Sequence, residues 1–120
     1  MYVYFNANPK GLRVGDCTIR AISKALDQAW EKTYMDITMY GLIDCDMPSA
    51  NHVWGHYLTD KGFVRELCQE STVRAFADNH SEGIYILAIS GHVVAVVNGA
   101  YYDTFDSGDM TPIYYWKKEK

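Results

Sequence analysis

The spacing of apolar residues changes near the middle of the chain. In "GDCTIRAISKAL" Ile19, Ile22 and Leu26 recur every three or four residues, which is the repeat of one helical face, and predicts a helix from about Cys17 to Leu26. Asp16 stands just before it, with a side chain of the type that accepts hydrogen bonds from first-turn backbone N–H groups. Trp30, Tyr34, Ile37 and Gly41 form a second stripe and predict a helix over about Ala29 to Leu42. A third helix follows the Pro48-Ser49 start signal, stops before Gly62 and buries Val53, Tyr57 and Leu58.

Beyond Gly62 the apolar runs shorten. "GFVRELC" reads as a strand, "STVRAFADNH" as a short helix capped by Ser71 or Thr72, and "GIYILAI" as a buried strand. From Ser90 to Ser107 the order is turn, strand, turn, strand, with Asn98-Gly99 the strongest short-range hairpin signal in the chain. "IYYWKK" gives a last strand. "YVYF", residues 2 to 5, gives a short first one before a loop punctuated by Pro9 and Gly11. Helices gathered in the N-terminal half and antiparallel strands in the C-terminal half predict an α+β domain of two unlike layers.

Composition narrows the function. The 120 residues suit one domain. Nearly half are hydrophobic and ten are tyrosine, too apolar for disorder, yet no run approaches the ~20 residues of a membrane span. The expectation is a globular protein with no membrane contact. A net charge of -4 and a single basic cluster, the terminal "KKEK", argue against nucleic acid as partner, because phosphate contacts require grouped Lys and Arg. The start "MYVYFNANPKG" lacks the basic and long apolar regions of a signal peptide, and Cys17, Cys45 and Cys68 show no disulfide or metal spacing. Reduced thiols and cytoplasmic residence are expected.

Chemistry concentrates at two places far apart in sequence. Cys17 falls at the first position of the first predicted helix, where unpaired N–H groups and the helix dipole favour a thiolate. Arg20 either assists that thiolate or pairs with Asp16 at i,i+4 spacing. His92 opens a strand directly after Gly91 and is the candidate proton carrier. If Asn98-Gly99 is a two-residue turn, the ladder sets His92 opposite Phe105. Strand parity then places Asp103 on the histidine's face, one diagonal away, with Asp106 just beyond the paired position and reaching the ring only if a bulge or strand end re-aims it.

These residues resemble the papain-like cysteine peptidases. "GDC" at a helix start, "GH" leading into an apolar strand and "YYDTFDS" after the return strand are similar to that superfamily in order and setting. The small bacterial and phage members related to the double-glycine peptidases of bacteriocin exporters are the nearest in pattern. The resemblance implies a papain-like fold and a cysteine-dependent hydrolase of peptide or isopeptide bonds, acting on a protein or peptide without a cofactor. It implies Cys17 as nucleophile and His92 as base. It sets Asp106 where the family has its third residue, against the parity argument for Asp103, and is followed here with Asp103 as the close second. The family's upstream Gln has no counterpart, since its position is Gly11, and Asn8 is the substitute oxyanion donor, with Asn6 behind it.

Two other readings compete. A papain-like scaffold without turnover, such as a phage-encoded inhibitor that binds a host protein, suits the missing Gln and the many tyrosines. His52 and His56 at i,i+4 spacing resemble a zinc-binding helix, but Val53 stands where the catalytic glutamate would be, and no metal is assigned. Cys45 and Cys68 are read as structural.

Overall fold

The computed structural model describes residues 1–119. The chain runs β1 (Tyr2–Tyr4), α1 (Cys17–Leu26), α2 (Trp30–Asp44), α3 (Asn51–Asp60), β2 (Phe63–Leu67), α4 (Val73–Asn79), β3 (Ile84–Ile89), β4 (His92–Val97), β5 (Ala100–Asp103) and β6 (Pro112–Lys118). Six strands form one sheet in the order β1-β5-β4-β3-β6-β2. Every pairing is antiparallel except β1 with β5, which is parallel. The protein is therefore an α+β domain with a mostly antiparallel sheet.

Two layers do not describe it. Along β3 and β4, Ile86, Ala88, Val93 and Ala95 pack with Ile22, Ile37, Val53 and Leu58 of the first three helices. Their alternate neighbours Tyr85, Leu87, Val94 and Val96 pack with Val73, Phe76 and Ala77 of α4. Because successive side chains of a strand point to opposite faces, α4 covers the face away from α1 to α3, and the central strands are apolar on both sides. Thr72 caps α4, its hydroxyl accepting from Ala75 N–H at 3.1 Å. Thr72→Ala is expected to lower the free energy of unfolding in urea by about 1 kcal/mol.

The stripe expected on α2 is right at Ile37 and Gly41 and differs in its first turn. Thr33, Ile37 and Gly41 are its buried residues, whereas Tyr34 is exposed. Gly41 is needed at its buried position, since a Cβ there would lie 2.9 Å from the Asp46 carbonyl oxygen. On α3 the expected Val53, Tyr57 and Leu58 are all buried.

Two tight turns order the strands that carry the chemistry. Asn98 and Gly99 have φ of 49° and 82°, so both central residues adopt the left-handed backbone of a hairpin turn whose twist matches its strands. Val97 accordingly faces Ala100, and the ladder runs through Ala95 and Tyr102 before it stops. Ser90-Gly91 joins β3 to β4 with Ile89 facing His92, and Gly91 has φ of 71°.

Candidate functional site

Cys17 and His92, 75 positions apart in sequence, meet where the first turn of α1 approaches the beginning of β4. His92 Nε2 lies 2.6 Å from Asp103 Oδ2, and the carboxylate is wholly buried. An ionised carboxylate only accepts, so Nε2 carries the proton. The remaining ring nitrogen, Nδ1, is left for the sulfur. Cys17 and the ring act on each other, the ring lowering the thiol and the thiol raising the ring.

The environment separates charge between sulfur and ring. Burial alone raises the Cys17 pKa, but the contact with His92 and its charge, the Val93 backbone N–H and the Arg20 charge outweigh it, and the thiol is lowered. Burial likewise pushes the His92 ring down, yet the bond to Asp103 and the contact with Cys17 raise it to about 9. Burial raises Asp103 as well. Its bond to His92 and that imidazolium's charge overcome this and hold the carboxyl below its ordinary value. The arrangement favours thiolate, imidazolium and carboxylate in series.

Asp103 is tied down on all sides. Its Oδ1 accepts from Arg20 Nη2 at 2.9 Å and from Thr104 N–H at 2.8 Å. The Ser107 hydroxyl, buried and without a partner at full hydrogen-bond geometry, lies close enough to add to the lowering. The main chain is pinned too, since the Asp103 carbonyl accepts from Phe5 N–H and the Tyr2 hydroxyl. The parallel edge strand β1 thus braces the end of β5.

Asp106 does not reach the ring, which corrects the expectation drawn from the motif. It is exposed, and its Oδ1 accepts from the Tyr101 hydroxyl at 2.6 Å and from Gly108 N–H at 3.0 Å, beside Arg74 at 3.6 Å. β5 ends at Asp103, so no bulge carries the following residues back toward β4. Phe105, which the extrapolated ladder sets opposite His92, stacks at a tilt on the imidazole with centroids 5.2 Å apart.

Asn8 is also placed elsewhere. Its Oδ1 accepts from Lys10 N–H and Leu12 N–H, closing the loop ahead of α1, while Asn6 donates to the Leu12 carbonyl. Neither asparagine lines the grooves that meet at Cys17. One groove, of about 470 Å³, includes Asn51, Trp54, Ser90, Gly91 and Tyr114 besides Cys17 and His92. Asn51 Oδ1 accepts from Trp54 Nε1, and its amide N–H groups have no partner among the described residues. The other groove runs past Arg13, Val14 and Phe105.

Asp16 stands at the expected cap position, but its side chain makes no capping bond. It accepts from Arg20 at 2.6 Å and from the Trp30 indole at 2.9 Å instead. The three cysteines are free thiols. Cys45 is exposed, and burial raises the pKa of Cys68, so neither has the setting of Cys17. His52 pairs with Asp46 and His56 with Asp44, and among the described residues no three or more His, Cys, Asp or Glu side chains gather as a metal site would. Among the described residues no helix is long and apolar enough to cross a membrane. The chain matches no protein-family model, no curated protein and no solved structure.

Proposed function

We propose that this chain is a papain-like thiol hydrolase of peptide, isopeptide or similar amide bonds. The observation that carries the reading is the single imidazole held between a wholly buried carboxylate and the Cys17 sulfur at the start of α1. The thiolate attacks the carbonyl carbon, and the carbonyl π electrons move to oxygen. That oxygen is met by the Cys17 backbone N–H, one of the first-turn donors that no helical carbonyl satisfies. Nδ1 of the imidazolium then gives its proton to the departing amine as the C–N bond breaks, leaving a thioester. The neutral ring takes a proton from water, whose oxygen attacks the thioester and releases the acid and the thiolate. Asp103 keeps the ring in the orientation and tautomer that both transfers need.

The outer face of α2 favours a second reading. Tyr34, Met35, Met39, Leu42 and Ile43 are all exposed there, an apolar surface suited to a scaffold that binds a protein without turning it over. Alkylation separates the two. At pH 6 iodoacetamide is expected to modify Cys17 about tenfold or more faster than Cys45 or Cys68, measured by peptide mass spectrometry. Equal rates at the three thiols support the scaffold. Substrate follows from comparing host proteins cleaved in the presence of the native chain with those cleaved in the presence of Cys17→Ser.

A further inference from the structure

Arg20 is buried, one turn beyond the thiol, and its fork is divided between two carboxylates. Nη1 donates to Asp16 at 2.6 Å and Nη2 to Asp103 at 2.9 Å. Asp16 in turn accepts from the Trp30 indole, so an unbroken chain of bonds runs from the start of α2 through Arg20 and Asp103 to the His92 ring. We infer that Arg20 is a positioning residue of the site, holding Asp103 ionised and aimed at His92 and thereby setting the pH range in which Cys17 is a thiolate. This rests on the thiol hydrolase reading.

Asp103 has two oxygens, and each has its own charged partner: Oδ2 the imidazole and Oδ1 the guanidinium. A carboxylate so divided has no freedom to turn both oxygens to the ring or away from it. Arginine is suited to this role because its donors are fixed in one plane and it does not give up its proton, whereas lysine offers a compact point charge without the fork. Charge adds to geometry. The charged and titratable groups around the ring are Cys17 and Arg20 from α1, Asp16 from the cap position before it, Asp103 from β5, Tyr2 from β1 and Arg13 from the loop before α1, with Asp106 further out. With two carboxylates and a thiolate gathered there, the Arg20 charge is the buried cation nearest the sulfur apart from the imidazolium itself, and it also lowers the thiol.

The test is the rate of Cys17 alkylation from pH 4 to 10 in the native chain, Arg20→Met and Arg20→Lys. Arg20→Met removes charge and fork together and is expected to displace the profile to higher pH, with a rate about tenfold lower at pH 6. Arg20→Lys keeps the charge and loses the fork, and its profile should fall between the two. Profiles that superimpose on the native one, with only a lower thermal midpoint, overturn the inference and make Arg20 a structural residue. Should both Arg20 variants fail to fold, Asp16→Asn is read by the same criterion, because it leaves Arg20 in place and weakens its outer arm. A native profile that already matches Cys45 means that the hydrolase reading itself has failed, which is a different result from superimposed variants.

Discussion

His92→Ala is expected to slow the alkylation of Cys17 at pH 6 by between about tenfold and a hundredfold, while leaving the rate above pH 9 close to native. With the ring raised to about 9 by Asp103 and Cys17, the native sulfur faces an imidazolium throughout the neutral range. Removing the ring takes away both the contact and the charge that lower the thiol, leaves burial as its main influence, and returns it to or above ordinary thiol behaviour. An ordinary thiol, with a pKa of about 8.5, is less than about 1% thiolate at pH 6. The loss in rate is smaller than the loss in thiolate, because a more basic thiolate is intrinsically more nucleophilic. Above pH 9 both proteins are ionised and the difference closes. A His92→Ala profile identical to native across the range would show that the sulfur does not depend on this imidazole, and the proposed hydrolase would have no proton carrier.

Much of this site can be read in the chain because its parts are local. Cys17 at the start of α1 follows from Ile19, Ile22 and Leu26, and the Asn98-Gly99 turn fixes which β5 residue returns beside which β4 residue. Strand parity from that turn places Asp103 with His92, and it holds because no bulge interrupts the short β4–β5 ladder. The likeness of "YYDTFDS" to a family segment points to Asp106 instead. That likeness concerns residue types, whereas the partner of the ring is decided by where the strand ends. The polar network behind the site is not legible, since Arg20 and Asp103 lie 83 positions apart and nothing local signals their bond. The i,i+4 pair of Asp16 and Arg20 is visible in the sequence. Its burial, and the Trp30 indole that completes it, depend on how α2 packs on α1. Only the first turn of the α2 stripe is misjudged, for a similar reason: Tyr34 is large and apolar, but the side that carries Ile37 and Gly41 brings Thr33 inward in its place.

Asp103→Ala is expected to destabilise the fold by about 3–5 kcal/mol in urea unfolding at pH 7, and Asp106→Ala by less than about 1 kcal/mol. Both replace an aspartate near the end of the same hairpin, but their surroundings differ. Asp103 is wholly buried between a guanidinium and an imidazole, and truncating it leaves Arg20 Nη2, His92 Nε2 and Thr104 N–H facing a cavity. A buried cation without its counterion is among the costliest defects a core can carry. Asp106 is itself exposed, and its truncation removes part-buried bonds from Tyr101 and Gly108 and the approach of Arg74 without leaving a buried charge unpaired. The pH dependence follows from the lowered Asp103 carboxyl. A folded value below the unfolded one contributes stability that is full above about pH 4 and is lost as the pH falls through the folded value. Asp103→Asn preserves the volume and removes that acid limb, whereas Asp106→Asn leaves it in place. Alkylation completes the contrast: without Asp103 the ring loses the bond that holds it charged, so Cys17 reactivity at pH 6 should fall in both Asp103 variants and stay native in both Asp106 variants. Equal effects at the two positions would mean that the buried carboxylate does not orient the ring. The site would then reduce to a thiol beside a histidine, with the Asp103–Arg20 pair serving only to close the core.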